Sequence, residues 1–184
     1  MKIVGIVIVV LIVLIVLYFI TAYNGFVKLR NNVKEGWSQI DVQLKRRFDL
    51  IPNLMETVKG YMKHERETLE AVVNARNSYA SAESNADAMK ADGELTKTLN
   101  KLFALAESYP DLKANENFLS MQDELSNTED KISQAREYYN TTVNTYNTKC
   151  KMFPSSIVAG MFGFKEEAFF EAPAEERENV KVEF

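Results

Sequence analysis

FLSMQDELSNTEDKISQAREYYNTTVNTYNTKC, residues 118–150, carries the longest clean stripe in the chain. Phe118, Met121, Leu125, Thr128, Ile132, Ala135, Tyr139, Val143, Tyr146 and Cys150 recur at steps of three and four, which keeps them on one face of an α-helix. At 1.5 Å per residue the stripe predicts about 48 Å of helix, with Pro154 ending it. A seam of that length needs a second one to bury it. The partner is Val33, Trp37, Ile40, Leu44, Arg47, Ile51, Leu54, Val58 and Tyr61, again stepping by fours and threes.

Ahead of the second seam, residues 3–20 form eighteen consecutive uncharged and mostly aliphatic positions, long enough to cross a bilayer as a helix. The exit, Ile20-Thr21-Ala22-Tyr23, lacks the small residue that signal-peptide cleavage requires three places before the cut, which predicts a retained anchor. No turn cluster separates the anchor from the seam beyond Asn24-Gly25 and Asn31-Asn32, so the membrane helix is expected to run on into a long soluble helix. Pro52 predicts a kink or restart, with Asp49 available as a cap, and Gly60 is a second weak point. Beyond it, Leu69, Val72, Val73 and Tyr79 keep an apolar face that predicts helix as far as residue 80. Residues 81–93 read as a solvated connection or a frayed helical turn, the best candidate for an exposed tip. Leu95, Leu99, Leu102 and Ala106 predict a further helix of about four turns, stopped at Tyr109-Pro110-Asp111.

The fold class is therefore all-α: a single N-terminal transmembrane helix followed by an antiparallel long-helix bundle or coiled coil. The expected organisation is an anchor over residues 1–23, a helical domain over 24–164 and an acidic tail over 165–184. Residues 24–66 hold nine Lys or Arg against five Asp or Glu, and the tail holds three against seven. The basic helix is suited to face anionic lipid or the tail itself; ordinary solvated faces explain the same pattern. Tyr18 and Tyr23, with Lys28 and Arg30, suit the membrane interface.

In order along the chain stand Tyr23-Asn24, Leu29-Arg30-Asn31, the run Ile40-Asp41-Val42-Gln43-Leu44-Lys45-Arg46-Arg47, Asp49-Leu50-Ile51-Pro52-Asn53-Leu54, Val58-Lys59-Gly60-Tyr61 and His64-Glu65. Leu102-Phe103-Ala104-Leu105-Ala106-Glu107, Tyr109 to Asn115, Arg136, Tyr139-Asn140, Tyr146-Asn147 and Gly163-Phe164 follow. Through this ordered set the sequence resembles the LemA family of bacterial membrane proteins over nearly its whole length. The resemblance implies a single anchor and an α-helical domain; one relative in magnetic bacteria, associated with magnetosome membranes, at most suggests an organising role at an organelle or the envelope. It implies no reaction.

Arg47 lies on the seam among aliphatic residues, where a charge is costly unless paired. It is either a register-fixing partner of Glu124 or Glu129, or a recognition point for an anionic partner. Tyr139 and Tyr146, one heptad apart, read as packed tyrosines with bonded hydroxyls, or as a contact for a ligand. Phe162, Phe164, Phe169 and Phe170 form either a cap on the bundle or a docking segment.

A single histidine, His64, forbids an H-E-x-x-H zinc motif, and the lone Cys150 forbids an internal disulfide or a cysteine-based zinc site. With no phosphate loop, nucleophile elbow or dinucleotide fingerprint, no catalytic residue, metal or cofactor is expected, nor enzymatic activity. Expected partners are the lipid bilayer and proteins or a second copy; nothing suggests nucleic acid or a small-molecule substrate. The function so read is a membrane-anchored scaffold or interaction protein of the bacterial inner membrane. Alternatives are a carboxylate-based metal-binding or enzymatic accessory unit, and a lipid-sensing domain. Lys28, Arg30 and Lys34 after the span, against Lys2 before it, favour a cytoplasmic domain, whereas relatives carrying a lipoprotein-type signal point to an exported one.

Overall fold

A computed structural model describes residues 2–170, and among these residues every regular element is helical. The helices are α1 (Lys2–Lys59), α2 (Arg66–Ala80), α3 (Asn85–Ala106), α4 (Pro110–Lys113), α5 (Glu116–Lys151) and α6 (Ser155–Phe162). They form two compact units, residues 2–39 with 135–169, and residues 40–134 with Phe170. The start of α1 buries nothing and is long and apolar enough to cross a membrane, as a membrane anchor would be.

The α5 stripe matches the expected helix, Glu116–Lys151, and its N-terminus is fixed by Asn115, whose Oδ1 accepts from the Phe118 N–H at 3.0 Å. The α1 seam buries Val33, Ile40, Leu44, Arg47, Ile51, Leu54 and Val58, but Tyr61 is exposed and Met62 is buried in its place. Helix α1 ends at Lys59 beside Gly60, so the expected continuation to residue 80 is broken by a turn from which α2 restarts.

Pro52 does not restart the helix and Asp49 is not a cap; Pro52 lies inside α1. Proline removes the N–H that would bond the Phe48 carbonyl four residues back. Arg76 of α2 supplies a replacement: its Nε donates to Phe48 O at 3.4 Å, and its guanidinium lies 3.8 Å from the Phe48 ring centroid. A tertiary donor thus replaces the missing helical one.

The expected solvated stretch over residues 81–93 shrinks to a short link. Ser84 caps α3 by accepting from the Asp87 N–H at 3.2 Å, and Ala88, Ala91 and Asp92 are buried. The core of this unit is built from Ile51, Leu54, Val58 and Met62 with Val72, Leu95, Leu99, Leu102, Leu112, Phe118 and Leu125.

In the other unit α1 and α5 run antiparallel, with Trp37 edge-on to Tyr139 at 5.8 Å and Phe26 edge-on to Tyr146 at 6.2 Å. Gly36 permits the close approach, since a Cβ there would stand 3.2 Å from Tyr139 Cα. Helix α6 closes at Gly163, left-handed at φ 71°, with the Phe164 N–H donating back to Ala159 O at 3.0 Å.

Candidate functional site

Arg47 projects from α1 into the unit that holds α2 and α3, and only 4 % of it is exposed. Its Nη1 donates to Asp92 Oδ1 and Thr96 Oγ1, both at 3.0 Å, and lies 2.7 Å from Glu129 Oε2. Thr96 Oγ1 in turn donates to the Asp92 carbonyl at 3.1 Å. One guanidinium therefore ties α1 to α3 and α5. Of the two glutamates named from sequence, Glu129 is a partner, whereas Glu124 pairs with the neighbouring Arg46. Asp92 was missed because it fell in a stretch read as solvated. Beside this cluster lies a cavity of about 230 Å³, lined by Asn100, Gln122 and Ser126 together with Arg47 and Glu129.

Tyr139 and Tyr146 belong to the other unit and share no partner with Arg47 among the contacts seen. The Tyr139 hydroxyl donates to Ala168 O at 3.0 Å, and burial pushes its pKa up. Tyr146 is pushed up to about 12, by burial first and then by the neighbouring Cys150; burial likewise raises the Cys150 thiol. These tyrosines stay protonated and packed at neutral pH. Asn147 fastens the segment after α6 by donating to Glu167 O at 2.8 Å and accepting from the Glu167 N–H at 2.9 Å. Tyr18 is half-buried, while Tyr23, Lys28 and Arg30 are exposed.

The feature best suited to hold a partner lies where α1 ends and α2 begins. A groove of about 540 Å³ has a floor of Met55, Met62, Leu69 and Val73 and a basic rim of Lys59, Lys63 and Arg66. Glu70 pairs with Arg66 at 2.7 Å, and Lys59 and Lys63 have no ion-pair partner among the described residues. Helix α1 also directs its negative C-terminal dipole here, which favours those lysines. On the far side of the turn the Tyr109 hydroxyl donates to Glu65 Oε1 at 2.7 Å and Asn115 Nδ2 donates to the Tyr61 hydroxyl at 3.1 Å, so the turn is held in place. The Glu65 hydrogen bond raises the Tyr109 pKa, with burial adding to it. Sequence reasoning missed this groove. Its signal was present as three cations at residues 59, 63 and 66 around Gly60, but only the turn brings methionines beneath them. No three His, Cys, Asp or Glu side chains converge as a metal cage among the described residues.

A profile of the LemA family matches residues 36–184. Protein LemA of Metamycoplasma hominis is 27 % identical over 158 residues, covering 85 % of this chain and 72 % of that protein. Magnetosome protein MamQ 2 of Paramagnetospirillum magneticum is 26 % identical over 179 residues, covering 83 % of this chain, and the chain spans 66 % of that relative's length. Magnetosome protein MamQ of Magnetospirillum gryphiswaldense matches to the same extent. None of these names carries a reaction. With the matched region covering the whole helical domain from Gly36 onward, the chain belongs to the LemA family.

Proposed function

We propose that this chain is a single-pass scaffold of the bacterial cell membrane that acts by binding, and that the α1–α2 groove receives an acidic amphipathic helix from a protein partner. The groove carries this reading: its volume of about 540 Å³ falls in the range of binding sites, and Leu69 and Val73 leave apolar surface open on it above the buried Met55 and Met62. Lys59 and Lys63 select negative charge along the edge of such a helix. The buried Arg47 network supports the same reading by holding α3 and α5 on α1, so the groove is presented on a fixed frame. Two relatives named as magnetosome proteins support a role in assembling a cellular structure.

The test is a photo-crosslinking residue in place of Val73, an exposed position on the groove floor, in the full chain in living cells. A discrete adduct with another polypeptide is expected, lost when Lys59→Glu and Lys63→Glu are added. No adduct, or an adduct indifferent to those charges, refutes the reading; an adduct of two copies of this chain replaces the hetero-partner with self-association.

A further inference from the structure

Residues 152–164, Met-Phe-Pro-Ser-Ser-Ile-Val-Ala-Gly-Met-Phe-Gly-Phe, contain no charged side chain and are bracketed by Lys151 and Lys165. Helix α6 lies in this segment. Only part of its apolar surface is used in packing: Val158 and Ala159 are buried, while Met152, Ile157, Met161 and Phe162 are 48–65 % exposed and Phe153 is 80 % exposed. Five large apolar side chains on one short segment form a patch that water does not favour.

The level of this patch along α1 is fixed by contacts within the same unit. Phe162 packs edge-on to Tyr23 at 4.9 Å, and Phe164 stacks on Phe26 at 4.8 Å. Tyr23 stands three residues past the apolar stretch that ends at Ile20, about 4.5 Å along the helix, within the headgroup layer that adds roughly 5–8 Å to each side of the hydrocarbon core. Tyr18, inside the run itself, lines one surface hollow together with Met152, Phe153 and Pro154. The exposed side chains thus sit at the depth where the span leaves the hydrocarbon. Lys28, Arg30 and Lys149 of the same unit supply cations at the headgroup level, Lys149 lying 5.1 Å from the Phe26 ring centroid, while Lys151 pairs with Glu166 at 2.8 Å.

We propose that α6 and its flanks are a second membrane contact, lying in the boundary between headgroups and acyl chains beside the span and holding the end of α5 against the bilayer. An interfacial helix of this kind has an apolar face directed into the boundary and lysines outside it, as this segment has. The inference rests on the membrane-anchored part of the proposed function and is independent of the α1–α2 groove.

The experiment uses the full chain in vesicles of phosphatidylcholine, alone or with phosphatidylglycerol. Single cysteines in a Cys150→Ala background carry an environment-sensitive fluorophore at Phe153→Cys, at Met161→Cys, at Leu11→Cys within the span and at Thr141→Cys on exposed α5. Quenching by spin-labelled lipid is expected at positions 153 and 161 as at 11, with iodide quenching several-fold weaker than at 141. The effect should persist in phosphatidylcholine and strengthen with phosphatidylglycerol. Iodide access at 153 and 161 equal to that at 141, with position 11 still lipid-quenched, overturns the inference while leaving the anchor intact. Shielding from both quenchers also overturns it, because a protein surface then covers the patch.

Discussion

Removing either half of the Arg47–Asp92 pair should cost far more than removing both. Asp92 is 1 % exposed and Arg47 4 %, so each single variant takes the main opposite charge from a buried group. Arg47→Met leaves the Asp92 carboxylate without its guanidinium, at a cost of about 3–5 kcal/mol. Asp92→Leu is milder, about 3 kcal/mol, because Glu129 remains 2.7 Å from the guanidinium and is one-third exposed to water. The double variant Arg47→Met with Asp92→Leu replaces the pair by apolar groups and leaves only Glu129, which is one-third exposed, without its cation, so it should be more stable than either single. With a urea dependence of about 2 kcal/mol per molar, the singles shift the unfolding midpoint down by roughly 1.5–2.5 M. The assay is urea unfolding of the full chain in detergent micelles, read by a fluorophore at Ser126→Cys in a Cys150→Ala background, beside the Arg47 cavity. Singles within about 1 kcal/mol of wild type, or a double variant equal to the sum of the singles, would refute the buried, coupled network.

Arg76→Ala should cost about 1–2 kcal/mol, and less than half of that in a Pro52→Ala background, where residue 52 again donates to Phe48 O; the same urea series measures both. Gly36→Ala should destabilise by about 1–2 kcal/mol despite alanine's better helix propensity, because the Tyr139 backbone stands in its way; Trp37 fluorescence during thermal unfolding reads it out. Tyr146 holds its proton more tightly when folded, so its contribution is complete below the unfolded tyrosine pKa near 10 and drains away as pH rises towards about 12. In a Cys150→Ala background, Tyr146→Phe should flatten the fall in denaturation midpoint between those pH values; an unchanged slope contradicts the assignment.

Long-range periodicity made α5, the α1 seam and the core of α3 legible, because a stripe of Leu, Ile and Val at helical spacing has one economical burial. The departures trace to single tertiary partners. Pro52 continues a helix because Arg76, twenty-four residues away, occupies the carbonyl that proline leaves open. Asp92 is buried because Arg47 reaches it, a pairing that no local pattern around Asp92 announces. Gly60 was recognised as a weak point, but the apolar face beyond it outweighed it, and that face belongs to the separate helix α2. Of the terminal phenylalanines, Phe162 and Phe164 pack on α1, Phe169 is exposed and Phe170 is buried. Residues 171–184, most of the acidic tail, lie outside the described residues.

Membrane anchoring through residues 3–20 underlies both the scaffold reading and the interfacial role of α6. The most direct measurement is the intact mass of the chain recovered from bacterial membranes after alkaline carbonate washing. Retention in the washed membranes of a chain that still carries residues 3–20 ahead of the helical domain is predicted. Release into the wash, or a product shortened by the first twenty or so residues, would contradict it.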